Sequence, residues 1–325
     1  MRIATALTAL AFALAAPVAA QSGEKDASIA PIAGVVAQGA KWEAAWTGPM
    51  TADGMAVTSD GLLLFSQEQS NAIWKLWPDG RSWIEVPYVH GAGATAVDEQ
   101  GNIYAVERAC TDPGLKLAEC AVKSRVMQLT PDRKVIAEQF ADGKTLGRLN
   151  DVELDGHGGA FFTQGSLYHT TSDGTVTEVY KPAAFTNGVA LSPDGKTVYV
   201  TDSKNVIAFD VGANGSTSNQ RVFATLSKDT AGFGGDGMAV DSAGRLYVTG
   251  DAGVYVFDRA GKELGVIPVP RRAITLAFAG PDRRTLYVGA MGGVTPTGAE
   301  WTTPEGVRNV AMTIYRIPVL TAGSR

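Results

Sequence analysis

The chain has 325 residues, 45% of them hydrophobic, with 28 Lys and Arg against 33 Asp and Glu and a formal net charge of −5. An acidic balance without a basic stripe argues against a nucleic-acid partner, because phosphate binding needs clustered cations. The three histidines, His90, His157 and His169, form no HExxH pair or other close ligand pair.

At the amino end, MRIATALTALAFALAAPVAAQ joins a basic Arg2 to an apolar run over 4–16 and a small-residue site at Val18-Ala19-Ala20. This is the layout of a secretory signal over residues 1–20, with a disordered apolar tail as the alternative. The run is too short to cross a membrane as a helix. With no twin arginine and no cysteine at the cleavage point, the expectation is a periplasmic or secreted protein without a membrane anchor. Residues 21–325 then form a single domain.

KWEAAWTG (41–48) reads as a lone strand, and six related units follow it. They begin at Asp53 (DGMAVTSDGLLLFSQ), Gly93 (GATAVDEQGNIYAVER), Asn150 (NDVELDGHGGAFFTQ), Asn187 (NGVALSPDGKTVYVTDS), Asp236 (DGMAVDSAGRLYVTG) and Ile274 (ITLAFAGPDRRTLYVGAM). Each is an apolar strand, a tight turn and a second strand rich in Val, Tyr and Phe, followed by one or two more strands. No window keeps a helical apolar period. Repeats of this kind predict an all-β fold, a six-bladed β-propeller with four-stranded blades, in which 41–48 completes the last blade and covers its edge.

The second unit is the longest. It carries Glu107 and Arg108 at a strand end, to be read either as facing substrate or as a surface ion pair. Its only two cysteines, Cys110 and Cys120, are expected to form a disulfide in an exported protein. Residues 108–125 would be either a lid over the channel or a surface insertion. A second excursion, 292–309, carries Trp301 as a candidate apolar wall.

Gly232, Gly234 and Gly237 match the spacing of a dinucleotide-binding turn. That motif requires a helix after it, whereas MAVDSAGRLYVTG predicts strand, turn and strand. Asp236 would also set a negative charge inside the cradle. HGAGATAVD (90–98) fails for the same reason. The two GKT tripeptides lack the upstream glycine of a phosphate loop, and Ser166 lacks the flanking glycine of a nucleophile elbow.

Asp236 instead opens its repeat, as Asp53, Asn150 and Asn187 open theirs. Innermost strands line the channel of a propeller, so these four side chains are expected to converge on the axis. Two carboxylates and two amides suit a hard cation, Ca²⁺ first, with Mg²⁺, Mn²⁺ or Zn²⁺ as alternatives. The competing reading is that Asp-Gly and Asn-Gly simply make tight turns at strand entries.

FTNGVALSPDGKTVYVTDS (185–203), GDGMAVDSAGRLYV (235–248) and RLNDVELDGHGGAFFT (148–163) resemble the regucalcin/gluconolactonase family of six-bladed propellers, over essentially the whole chain after residue 20. The resemblance implies one axial divalent cation and hydrolysis of sugar lactones. It implies that Asn187 and Asp236 are direct ligands, that Asn150 lies beside the metal, that Asp236 is also the base that activates water, and that Arg148 contacts substrate. Asn150 and Glu107 are further candidates for substrate contact. Two departures stand out. The family's first blade opens Glu-Gly-Pro with Trp two residues on, where this chain has Asp53-Gly54-Met55-Ala56-Val57, and Gln164 stands where an Asp is common. The expected function is therefore an exported, metal-dependent lactonase in which the cation polarises the lactone carbonyl. A non-catalytic, calcium-stabilised binding propeller and a metal-dependent esterase or phosphotriesterase are the alternatives.

Overall fold

Short runs of Val, Tyr, Phe and Thr, cut by turns such as Ser-Pro-Asp-Gly, form antiparallel strands throughout the computed structural model, which describes residues 23–109, 123–182, 185–301 and 311–324. After β1 (Glu43–Gly48) come six four-stranded sheets. Blade 1 holds β2 (Asp53–Val57), β3 (Leu63–Gln67), β4 (Ala72–Leu76) and β5 (Ser82–Pro87). Blade 2 holds β6 (Ala92–Val97), β7 (Ile103–Glu107), β8 (Arg125–Gln128) and β9 (Lys134–Ala137). Blade 3 holds β10 (Val152–Leu154), β11 (Ala160–Thr163), β12 (Leu167–Thr170) and β13 (Val176–Tyr180). Blade 4 holds β14 (Val189–Leu191), β15 (Thr197–Asp202), β16 (Asn205–Val211) and β17 (Thr217–Thr225). Blade 5 holds β18 (Met238–Val240), β19 (Leu246–Gly250), β20 (Gly253–Phe257) and β21 (Glu263–Ile267).

Blade 6 closes the ring. Its β22 (Arg272–Ala279), β23 (Thr285–Met291) and β24 (Met312–Pro318) are joined by β1, which pairs antiparallel with β24 from Glu43↔Arg316 to Gly48↔Met312. Strand 41–48 thus does what its sequence position predicts: the outer edge of the last blade is covered by the chain's own beginning. The innermost strands β2, β6, β10, β14, β18 and β22 touch in cyclic order, the last against the first. The fold is an all-β six-bladed propeller.

Consecutive residues of the second strands face opposite neighbours, so both faces of each blade are apolar. Leu64 packs toward blade 2 with Ile73, Ala105 and Met127, whereas Phe65 packs toward blade 6 with Tyr287 and Met312. Phe161 and Phe162 divide in the same way between blades 4 and 2. Each of the six blade junctions has one such buried cluster. The period-two pattern survives in the backbone, but the polar half expected of a one-sided sheet is replaced by a second buried face.

At the axis the strands come close enough to exclude side chains. A Cβ on Gly188 would lie 2.1 Å from the Asp236 carbonyl oxygen, and one on Gly54 2.2 Å from Ala94 Cα. A Cβ on Gly237 would meet Ile274 O and Thr275 Cα at 2.9 Å. The glycine after each of these oxygen-bearing residues therefore serves the approach of the next blade, and not only a turn. Blade 3 solves the same problem differently: Asp151 follows Asn150 and accepts the Val189 N–H of blade 4 at 2.9 Å. Replacing Gly188 with Ala is expected to destabilise the protein by at least ~2 kcal/mol, because backbone on both sides must move. Urea denaturation monitored by tryptophan fluorescence measures this.

Candidate active site at the channel mouth

Asp53 opens β2, while Asn150, Asn187 and Asp236 each stand two residues before β10, β14 and β18. All four lie at the same end of the channel, half-buried. Buried hydroxyls at the ends of the second strands hold these entries in place. Thr163 Oγ1 accepts the Asp151 N–H at 3.1 Å, and Thr201 Oγ1 accepts the N–H groups of Asn187 and Gly188 at 3.1 and 3.0 Å. Thr249 Oγ1 donates to Gly237 O at 3.1 Å. The donors are thus fixed from behind by backbone and threonine.

The structure brings the four residues together. Asn150 Nδ2 donates to Asn187 Oδ1. Burial pushes the Asp53 carboxyl above its ordinary range, with Arg108 and the Gly54 N–H pulling it back down. Burial raises Asp236 further, and the nearby Asp53 carboxylate adds to that rise, opposed by Arg272. Asp151, held by two backbone N–H groups, is also pushed up by burial, to about 6. These carboxylates have lost water and repel one another, compensated in part by nearby arginines and backbone N–H groups. Oxygen donors in that condition fit a hard divalent cation, whose charge would offset both penalties.

Glu68 and Arg272, which the sequence did not place at the mouth, organise it together with Arg108. Glu68, at the end of β3, is buried and receives a two-pronged bond from Arg148, Nη1 to Oε1 at 2.9 Å and Nη2 to Oε2 at 3.1 Å. Arg108 donates Nη1 to the same Glu68 at 3.2 Å, Nε to Leu149 O at 2.8 Å and Nη2 to Asn150 Oδ1 at 2.6 Å. Arg272, from blade 6, stacks its guanidinium 3.6 Å over the Phe233 ring and bears electrostatically on Asp236. Arg148, expected at the mouth, keeps nearly half of its side chain exposed there.

Glu107 differs from both readings of the sequence, and Arg108 from the surface reading. Neither makes a surface ion pair. Glu107 is wholly buried, accepting from Arg125 Nε and from the His90 N–H, so it clamps blade 2 and has no open face for substrate. Arg108 is 5% exposed and points inward. His157 is exposed in its hairpin, as expected. Trp301 is half-buried, its backbone N–H bonded to Gly293 O. The signal over 1–20, the Cys110–Cys120 disulfide and most of the 108–125 segment lie outside the described residues. Beyond the donors, the inner strands enclose an axial cavity of about 540 Å³, lined among others by Thr95, Val189 and Thr275.

The family model described as the SMP-30/Gluconolactonase/LRE-like region matches residues 51–292. Pentonolactonase XacC of Haloferax volcanii is 32% identical over 213 residues, covering 62% of this chain and 72% of that protein. The gluconolactonase of Zymomonas mobilis is 24% identical over 274 residues, covering 72% and 74%. Among solved structures, a gluconolactonase from Xanthomonas campestris has a TM-score of 0.66 at 20% identity, covering 93% of this chain and 99% of that one. A regucalcin from Agrobacterium tumefaciens, described as calcium-binding, has a TM-score of 0.60 at 20% identity, covering 86% and 95%. The structural likenesses share the fold.

Glu68 accepts from two arginine side chains, Arg108 and Arg148. Glu68→Ala is expected to cost about 3–5 kcal/mol, since it strands the buried Arg108 charge. Glu68→Gln, which keeps the shape, should lose less. Chemical denaturation of both variants tests the ordering.

Proposed function

The chain belongs to the SMP-30/gluconolactonase/LRE-like family, and from that premise we propose that it is an exported, divalent-metal-dependent lactonase that opens sugar or related lactones. The observation that carries the reading is the convergence of Asp53, Asn150, Asn187 and Asp236 from four blades on one end of the channel. Relatives named pentonolactonase and gluconolactonase support the substrate class. Export rests on the sequence of residues 1–20.

Asp53, Asn150, Asn187 and Asp236 would hold the ion, with calcium the first candidate. Once bound, the ion supplies Lewis acidity toward the lactone carbonyl. The chain's own residues do the rest. Asp236 takes a proton from the attacking water. Its burial beside Asp53 raises its basicity above that of an ordinary carboxylate, and the ion's field would moderate this. Water oxygen bonds to the acyl carbon, the acyl–oxygen bond of the ring breaks, and the proton passes to the departing ring oxygen to give a hydroxy acid. Arg148, its fork steadied by Glu68, presents its exposed part to the ring oxygens of substrate.

A panel of aldonolactones, aryl esters and phosphotriesters, assayed with and without chelator, tests the proposal. Chelator is expected to abolish lactone opening and added calcium or manganese to restore it. Asp236→Ala should lower kcat by about 10²–10⁴-fold with an unchanged circular dichroism spectrum. Full activity in chelator removes the metal from the mechanism. Turnover of esters or phosphotriesters with lactones untouched would overturn the substrate class.

A further inference from the structure

Four blades open with an oxygen donor; blade 2 opens with Gly93. The place that a donor would take is crossed by an arginine. A Cβ on Gly93 would fall 2.3 Å from Arg108 Nε, so only glycine lets this side chain pass over the inner strand toward the axis. The guanidinium is then held on three sides: Nε on Leu149 O at 2.8 Å, Nη1 on Glu68 Oε2 at 3.2 Å, and Nη2 on Asn150 O at 3.1 Å. Nη2 also bonds Asn150 Oδ1 at 2.6 Å and stands 3.9 Å from Asp53 Oδ2. Two of the four donors therefore already face a fixed positive charge.

We propose that Arg108 is a built-in competitor of the axial divalent cation, occupying the Asn150 amide oxygen and facing the Asp53 carboxylate that the ion would use. The inference rests on the metal-site reading above. A guanidinium does not release its proton at any working pH, so this charge is permanent. For Asn150 Oδ1 to ligate an ion, Arg108 must give up a short, charge-assisted bond. For Asp53 to do so, the ion must approach a carboxylate that Arg108 partly neutralises. Asp53 deepens the competition. Its carboxylate stays within reach of the guanidinium. Asp236 also feels the Arg108 charge, though less than that of Arg272.

Isothermal calorimetry of calcium and manganese binding to wild type, Arg108→Met and Arg108→Lys tests this, since binding is read without turnover. Arg108→Met leaves Glu68 its two-pronged bond from Arg148. Its affinity is expected to rise about tenfold or more, the low end of what one unit charge at this range does to a neighbouring equilibrium. Arg108→Lys, which keeps the charge, should stay closer to wild type than Arg108→Met. A wild type that binds ions as tightly as Arg108→Met overturns the competition alone. Absence of binding in both overturns the metal site as well. Crystal structures of the wild type with and without calcium give a second reading that needs no variant. With the ion on Asn150 Oδ1, Arg108 Nη2 should have left that oxygen, and an ion seated there with the bond intact would refute the proposal.

Discussion

The close approach of the innermost strands at the axis is the constraint from which the rest of the mouth follows. In blades 1, 4 and 5 the approach of the next strand leaves no room for a Cβ directly behind the donor, as Gly188 against Asp236 O and Gly54 against Ala94 Cα make plain. Where the chain carries a side chain there instead, at Asp151, its carboxylate bonds the next blade's backbone. The residue before the glycine is then the last position whose side chain can project into the mouth. Convergence is thus a consequence of ring packing, and the sequence needs only to choose which residue to place there.

The choice made is electrostatically expensive. Asp53 and Asp236 are taken from water and set close enough for Asp53 to raise Asp236. Such an arrangement persists because the rest of the body is a conventional apolar structure, with six buried clusters between blades and a closing strand from the amino end. A rigid scaffold can hold groups whose own interactions oppose their assembly, and that is a common condition of a site built for binding or chemistry.

The fold was legible because it repeats. Six recurrences of strand, turn and strand define blades even though no single recurrence does, and 41–48 stands out as the strand left over. The four donors were legible for the same reason, as members of a series in register. Glu68, Arg108 and Arg272 belong to no series. Each is an isolated charge at a strand end or start, a pattern shared with exposed residues such as Arg133. What directs Glu68 and Arg108 inward is the antiparallel return of β3 and β7, which ends both strands beside the channel mouth. That is a tertiary fact. Glu107 shows the other side of it: one residue earlier on the same strand, alternation turns the side chain between the blades instead of toward the axis. A surface ion pair was the natural reading of Glu107-Arg108 in a chain, and alternation on a doubly buried strand removes it.

The two blades without an oxygen donor are not silent. Blade 2 brings Arg108 to Asp53, and blade 6 brings Arg272 to bear on Asp236. Each carboxylate of the mouth therefore has an arginine from the blade next to its own, blade 2 beside blade 1 and blade 6 beside blade 5. The two amides, Asn150 and Asn187, sit in adjacent blades between them and bond each other. Around the axis the order is cation, amide, amide, carboxylate, cation, carboxylate. Neither carboxylate adjoins another carboxylate in that circle, and both amides adjoin each other, where their neutral dipoles tolerate contact. The two arginines thus offset part of the cost of gathering these half-buried acids. Without these cations, the like charges of Asp53 and Asp236 would oppose the approach of their blades.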